Sequence, residues 1–274
     1  MTETYRAGPD LHVLASRLPI PGLGDQPTHA FLQRSGEPLL VDTGMPVDRE
    51  GFLDALWSLV DPRELRWIVV THDDRDHTGS LMSVLDAAPQ AKLLTNAITL
   101  TRLSEEFGIP RERVVTVNPG HRIEAGGREL SFYRPPTFDS PGTLAVFDHL
   151  DGTLFSSDSF GTVLPSIGRH ISDIPEEEFF EGFDILNRAI APWTAVADPR
   201  KFGQAVRTLA GLSPARLLSA HGPTVDQAGG RIDALFAAMA RIPGLPSWLP
   251  GADLDLEAAL DAHEAAAAAV PATG

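Results

Sequence analysis

The sequence of 274 residues predicts an α/β protein in which strands and helices form separate packed layers. Strand and helix patterns alternate through the first half of the chain, whereas the second half begins with short strands and contains mostly helices towards its end. Acidic or histidine residues directly follow several of the apolar strands. Because strand ends in layered α/β folds gather at one edge of a sheet, we expect these polar residues to lie close together.

The first half of the chain shows the alternation most clearly. Apolar or alternating residues indicate the strands, and apolar residues spaced three and four apart indicate the helices. Asn96 is a suitable N-cap for the last of these helices, and Gly108 is expected to end it. The predicted strands are residues 12–18, 29–34, 38–41, 67–70 and 91–95, and the predicted helices are residues 47–60, 80–88 and 96–107.

The second half has short strands followed by longer helices. Asp151 and Gly152 favour a hairpin turn between two strands. Residues 159–174 show little periodicity and are a candidate lid loop. Residues 1–250 are expected to form one domain, followed by an Ala- and acid-rich tail, 251–274, that is helical or partly disordered. The predicted strands are residues 113–117, 129–134, 143–147, 153–157 and 215–219, and the predicted helices are residues 176–190, 199–212 and 230–240.

The composition excludes several classes of protein. The 22 basic and 37 acidic residues give a net charge of −15, which argues against binding to nucleic acid or to a membrane, because phosphate contacts need a basic face. The absence of cysteine excludes disulfides, iron–sulfur clusters, thiolate zinc sites and cysteine nucleophiles. Neither a secretory signal nor an apolar run of membrane-spanning length is visible, so a cytoplasmic protein is expected.

The strongest local signal is the segment His72-x-Asp74-x-Asp76-His77, which follows a fully apolar strand. It offers four metal-ligand side chains within six residues, and alternate residues of a loop can point to the same side. A simpler interpretation is a polar loop in which Asp76 or Thr78 caps the next helix. That interpretation accounts for one acid and leaves the other three side chains unexplained.

Three further candidate ligands, Asp139, Asp158 and His221, each follow an apolar strand later in the chain. A single acid after a strand is usually a turn residue. Combined with the segment at residues 72–77, however, these positions predict one metal site at one edge of the fold.

Asp42 also follows an apolar strand and is a candidate for orienting His72 or His77 through the ring nitrogen that faces away from a metal. An acid that opens a tight turn is an equal alternative for Asp42. Five further histidines are predicted to lie at the surface: His29, His121, His149, His170 (in the candidate lid) and His263.

These motifs occur in one order along the chain and as a set resemble the metallo-β-lactamase superfamily. The resemblance covers roughly residues 10–240 and implies an αββα four-layer sandwich. The motifs that carry it are Asp42-Thr43-Gly44, the loop from His72 to His77, Ser140-Pro141-Gly142, Phe155-Ser156-Ser157-Asp158 and Ser219-Ala220-His221-Gly222-Pro223.

Position 74 distinguishes two branches of that superfamily. Its zinc hydrolases usually have His-x-His-x-Asp-His, whereas this chain has Asp74 in place of the second histidine. This resembles the flavodiiron branch, with its stand-alone oxygen-binding diiron proteins, whose motif is His-x-Glu-x-Asp-His followed by His, Asp and His. Two departures are visible: Asp74 is one carbon shorter than Glu, and Asp139 stands where that branch has a histidine. Asp139 is either a metal ligand or, if the histidine position falls at Pro136, a residue beside the ligands.

The resemblance implies two metal ions. Such an oxygen-rich ligand set suits iron or manganese, and iron is favoured, although the usual affinity order keeps zinc as an alternative. The implied ligands are His72, Asp74 and Asp139 for one ion, Asp76, His77 and His221 for the other, and Asp158 as the bridge between them.

The favoured function is a diiron oxidoreductase or O2-binding protein that acts on O2 or peroxide. The chain after His221 is too short for the flavodoxin-like domain of the flavodiiron family, so an external electron donor is expected. The alternative is a hydrolase that attacks an ester, lactone or thioester with a metal-bridging hydroxide. A degenerate member that only binds a partner is a third interpretation, and a homodimer is also considered.

Overall fold

The computed structural model describes residues 2–248, and in it two β-sheets pack face to face with helices on the outer side of each. The layer between the sheets is apolar and includes Val13, Phe31, Phe132 and Phe155, each at most 2% exposed. The predicted αββα four-layer sandwich is therefore confirmed. The predicted tail at residues 251–274 lies outside the described residues, as does His263.

The first sheet has seven strands that follow one another in chain order. Neighbouring strands are antiparallel from the first to the fourth and parallel from the fourth to the seventh. The carboxyl ends of the parallel strands therefore share one edge. The strands are β1 (Glu3–Arg6), β2 (Leu11–Ile20), β3 (Gly24–Gln33), β4 (Leu39–Val41), β5 (Trp67–Val69), β6 (Lys92–Thr95) and β7 (Val114–Thr116).

The second sheet has six strands in the order β13-β12-β11-β10-β9-β8. Only β11 and β12 are parallel, and their carboxyl ends form the second half of the edge that carries the candidate ligands. The strands are β8 (Arg122–Ala125), β9 (Arg128–Tyr133), β10 (Ala145–Asp148), β11 (Thr153–Phe155), β12 (Arg216–Leu218) and β13 (Val225–Asp226).

Helices cover the outer face of each sheet because the strands are apolar on both faces. In β2, for example, Val13 points into the layer between the sheets, whereas Leu14 packs with Phe52 and Leu56 of the first helix. The first sheet is covered by α1 (Arg49–Leu59), α3 (Leu81–Ala87) and α4 (Ala97–Leu103); the second is covered by α5 (Glu176–Ile190), α6 (Pro199–Ala210) and α7 (Arg231–Met239); and α2 (Arg75–Thr78) is a single turn beside the site.

The predicted helix at residues 176–190 is confirmed to its limits, and the Asn96 cap is confirmed by a hydrogen bond of 2.8 Å that its side chain accepts from the amide of Ile98. The helix after Asn96 ends at Leu103, earlier than predicted. The amides of Glu105 and Glu106 bond to carbonyls three residues back, which converts the last predicted turn into tight turns.

The prediction of a lid at residues 159–174 is wrong for residues 159–164. This segment is buried, and Phe160 and Leu164 pack among the helices of the second sheet. The backbone of Leu164 also forms paired hydrogen bonds of 2.7 and 2.9 Å with Asp25 of β3. A packed connection and a lid both lack periodicity, so the sequence pattern does not distinguish them. Among residues 2–248, no helix is both long and apolar enough to cross a membrane.

Candidate metal centre

The loop after β5 supplies four of the predicted ligand residues. The strand ends at Val69, and the short helix α2 begins at Arg75, which places residues 72–77 across the edge of the sheet. The helix-capping interpretation of this loop is wrong. The next helix begins after Ser80 without a side-chain cap, and the Thr78 hydroxyl instead donates to the carbonyl of Asp74 at 2.9 Å.

The other three predicted ligands reach the same edge from the second sheet. Asp158 follows β11 and His221 follows β12, whereas Asp139 lies in the connection between β9 and β10. Ligand-capable atoms within 4.8 Å of one another form three groups that together contain all seven residues. These groups are His72, Asp74 and Asp139; Asp76, His77 and His221; and His72, His77 and Asp158.

Asp158 lies at the centre of the cluster, and its two carboxylate oxygens face opposite sides. Oδ1 is 3.0 Å from Nε2 of His77 and 3.2 Å from Nε2 of His221. Oδ2 is 3.3 Å from Nε2 of His72. Asp158 therefore has the position and orientation of a carboxylate that can bridge two cations.

The outer carboxylates complete each side. Asp76 Oδ2 lies 3.5 Å from Nε2 of both His77 and His221. On the other side, Asp74 Oδ2 lies 3.9 Å and Asp139 Oδ1 lies 3.8 Å from Nε2 of His72. Each side thus combines imidazole nitrogens with carboxylate oxygens around one small volume.

Hydrogen bonds to the ring nitrogens on the far side fix two of the imidazoles. Nδ1 of His77 donates to Asp42 Oδ2 at 2.9 Å, and Asp42 is itself held by the Thr71 amide at 2.8 Å. Nδ1 of His221 donates to the Pro27 carbonyl at 2.7 Å. Because both acceptors lack a proton to donate, each Nδ1 carries a hydrogen, and in the neutral form of each ring the Nε2 lone pair faces the site.

His72 is held differently, through hydroxyl groups. Its Nδ1 lies 3.1 Å from Ser157 Oγ and 3.3 Å from Thr71 Oγ1. Ser157 immediately precedes Asp158, and its hydroxyl donates to Thr71 Oγ1 at 2.9 Å. This small network connects the loops from the two sheets.

The arrangement fits bound cations. Nε2 lone pairs that face carboxylate oxygens at 3.0–3.9 Å repel each other unless a positive charge lies between them. That charge is either a proton on the ring or a metal ion held by both groups. Within residues 2–248, Nε2 of His72 has no hydrogen-bond partner although the side chain is fully buried. A metal ion satisfies all of these atoms at once.

The electrostatic couplings agree with this picture. Burial favours the neutral form of each group, but nearby opposite charges outweigh it. The carboxylates of Asp76 and Asp42 raise the pKa of His77 well above its usual value. The imidazoles of His72 and His77 hold the pKa of Asp158 well below its usual value. The pKa of His221 is likewise raised against burial, through Asp158. Asp139 differs, because burial and the charge of Asp158 raise its pKa to about 6.

The prediction that His29 lies at the surface is wrong. The residue is 3% exposed, and neither ring nitrogen has a hydrogen-bond partner among residues 2–248. Burial, followed by the charge of His221, lowers its pKa to about 3, so the ring is neutral. His121 and His149 are exposed, as predicted, and His170 lies 3.3 Å from Asp226, at the β13 edge.

Two polar residues of the site were not predicted. Gln26 lies with Nε2 3.2 Å from Nδ1 and 3.4 Å from Nε2 of His221. Asn187, fully buried on α5, bonds to the segments that follow Asp158 and precede Asp139, since its Oδ1 accepts from the amide of Phe160 at 3.1 Å and the hydroxyl of Thr137 at 2.9 Å. Their chain positions carry no motif.

A cavity of about 440 Å³ opens over the cluster. Its lining includes candidate ligands and the apolar side chains of Leu18, Met45 and Val47. Val47 is 84% exposed and Arg75 is 63% exposed, so both lie at the mouth of the cavity. A small molecule that enters here therefore meets apolar as well as charged side chains.

Comparisons with known proteins find relatives among flavoproteins and oxidoreductases. The chain is 31% identical over 134 residues to putative diflavin flavoprotein A 3 of a Nostoc species. These residues make up 48% of this chain and 23% of that protein. It is 24% identical over 200 residues to rubredoxin-oxygen oxidoreductase of Megalodesulfovibrio gigas, which is 71% of this chain and 48% of that enzyme. The chain thus spans less than half the length of either relative.

Solved structures show the same fold. The rubredoxin oxygen:oxidoreductase from Desulfovibrio gigas superposes with a TM-score of 0.76 at 19% identity, over 87% of this chain and 61% of that one. A flavodiiron protein from Giardia intestinalis gives a TM-score of 0.74 at 18% identity, over 88% and 59% of the two chains. The family model described as the ODP family beta lactamase matches residues 27–194, which is more than half of the chain. The protein therefore belongs to the ODP family of β-lactamase-fold proteins.

Proposed function

We propose that this chain is the metal-binding core of a diiron oxidoreductase that reacts with O2 or a similarly small molecule such as peroxide. The observation that carries the proposal is the central position of Asp158, whose two oxygens face imidazole nitrogens on opposite sides at 3.0–3.3 Å. The proposed ligands are His72, Asp74 and Asp139 on one side, Asp76, His77 and His221 on the other, and Asp158 between them.

Iron is the favoured metal because the ligand set contains four carboxylates and three imidazoles. Oxygen-rich sets suit iron and manganese better than the histidine-rich sets typical of zinc hydrolases. The relatives also support iron, since their names include rubredoxin-oxygen oxidoreductase and flavodiiron protein. A bound iron pair would supply one-electron redox chemistry, which zinc does not have.

The protein side chains have distinct tasks in this proposal. Asp42 and the Pro27 carbonyl keep the protons of His77 and His221 on Nδ1, so that both Nε2 atoms can bind metal. Asp158 and Asp76 supply negative charge inside a nearly buried cluster. Leu18 and Val47 place apolar surface beside the cluster and favour a small, weakly polar reactant.

Reduction requires an electron donor outside the described residues, either on another polypeptide or on another part of this one. The name rubredoxin-oxygen oxidoreductase shows that the relative acts with rubredoxin, and a small redox protein is therefore the proposed class of donor. A homodimer stays a prediction. No observation on the described residues favours the hydrolase alternative. Position 74 holds a carboxylate, and the named relatives are oxidoreductases and flavoproteins.

The test is anaerobic loading of the protein with Fe(II), followed by metal analysis and exposure to air. We expect two iron ions per chain and a change in near-ultraviolet absorption on oxidation. His77→Ala should lose both effects, whereas His121→Ala, which removes an exposed histidine, should keep them. Two zinc ions per chain in protein from iron-supplemented cells, together with hydrolysis of simple lactones, would contradict the proposal.

A further inference from the structure

The two sides of the proposed metal centre are built unequally. On the buried side, His77 and His221 are 1% and 4% exposed, and Asp76 is 23% exposed. On the open side, Asp74 and Asp139 are 47% and 34% exposed, and only His72 is buried. We call these groups the buried side (Asp76, His77 and His221) and the open side (His72, Asp74 and Asp139).

The protein also orients the two sides to different degrees. Both imidazoles of the buried side are fixed by charged or carbonyl acceptors, at 2.9 Å to Asp42 and 2.7 Å to Pro27. Among residues 2–248, the outer carboxylates of both sides accept no hydrogen bond from another side chain, so the imidazoles make the difference. The imidazole of the open side, His72, is held only by hydroxyl groups, at 3.1 and 3.3 Å from its Nδ1. Partners that orient metal ligands typically change metal affinity about 10–100-fold.

The donor atoms differ as well. With Asp158 shared, the buried side offers two nitrogens and two carboxylates, whereas the open side offers one nitrogen and three carboxylates. Nitrogen ligands increase the preference for later transition metals such as Co(II), whereas carboxylate oxygen suits Mn(II). The open side is therefore the harder of the two positions.

From this asymmetry we propose that the centre has one tight and one exchangeable position. The buried side fills first and retains its ion, whereas the open side binds its ion more weakly and discriminates less against Mn(II). The inference rests on the proposed dinuclear site but goes beyond it, because it assigns different affinity and metal selectivity to each side. In a mixture of metals, the protein should then hold a mixed pair with manganese on the open side.

The experiment is a metal titration of the full chain after chelator treatment, followed by native mass spectrometry. Co(II) should bind in two separate steps whose affinities differ about 10–100-fold. With Co(II) and Mn(II) at equal concentration, the species with one ion of each should exceed the share expected if both sides had the same preference for Co(II). The visible absorption of Co(II) provides a second readout that does not depend on activity.

Two substitutions at one exposed position assign the weak step. Asp139→Asn removes a charge without adding a nitrogen donor, and it should weaken the second Co(II) step and leave the first unchanged. Asp139→His adds a nitrogen donor, and it should strengthen the second step and lower the share of the mixed species. Asp86→Asn, which changes an exposed carboxylate on α3 outside the cluster, should change neither step.

The outcomes separate this inference from the proposed function. Two Co(II) steps of equal affinity, or a first step that weakens in Asp139→Asn, would overturn the asymmetry while leaving a dinuclear site. Binding of no ion to the cluster would overturn both. Two separate steps, with only the second sensitive to residue 139, support the inference.

Discussion

The buried and open sides of the centre share Asp158 but differ in how firmly the protein holds their side chains. The imidazoles of the buried side are fixed from behind by Asp42 and Pro27, whereas the carboxylates of the open side reach into the cavity. The open side also carries both departures from the flavodiiron motif, Asp74 and Asp139. Both departures thus lie where packing constrains the side chains least.

Removal of Asp158, the proposed shared ligand, should have the largest effect on both sides. Asp158→Ala deletes the carboxylate that faces His72, His77 and His221, so the affinity for both ions should fall by more than about 100-fold, beyond the usual effect of an orienting residue. Metal analysis after dialysis measures this loss. Retention of one ion at full affinity would show that Asp158 does not bridge.

Substitution of Asp42 should weaken the buried side selectively. Asp42→Asn removes the charge that accepts the proton of His77 Nδ1, and metal affinity should fall about 10–100-fold at the tight step only. Titration with Co(II) measures both steps. Equal weakening of both steps would contradict the distinction between the two sides.

Loss of Asn187 should affect both sides through the fold. Its amide also donates to the carbonyls of Gly161 and Phe183 at 3.0 and 2.8 Å, so Asn187→Ala leaves several buried groups unpaired at about 1–3 kcal/mol each. We expect a large decrease in the free energy of unfolding, measured in urea, and a looser metal centre. An unchanged midpoint would show that water replaces the amide.

The stability of the metal-free protein should depend on pH differently from that of the metal-loaded protein. His77, His221 and Asp139 have raised pKa values in the metal-free fold, so their contribution to stability is present at low pH and is lost as pH rises through those values. Metal displaces these protons and binds more firmly as pH rises. The Tm difference between loaded and metal-free protein should therefore widen from about pH 6 to pH 8. A constant difference would contradict the assigned protonation states.

The smallest effect is expected far from the cluster. Asn96→Ala removes the side-chain cap of α4 and should lower the free energy of unfolding by about 1 kcal/mol without a change in metal content. Thermal unfolding with metal analysis of the same samples checks both parts. A loss of metal in this variant would mean that the centre responds to any destabilisation, which would contradict separate roles for the buried and open sides.

The strand-end rule was sufficient to predict that the seven candidate side chains meet at one edge, because β5, β9, β11 and β12 end there. The alternation of β3 also indicates a buried His29, since it stands two residues before Phe31 and alternate residues share a face. Gln26 and Asn187 could not be predicted in this way. They reach the cluster only through the packing of β3 and α5, which no local pattern records.

Anomalous diffraction at the iron edge, from a crystal of iron-loaded protein, locates the metal ions directly. We predict two peaks on opposite sides of Asp158, with the peak beside His77 and His221 stronger than the peak beside His72. A map without peaks at these positions, or with one ion bound only by imidazoles, would contradict this prediction.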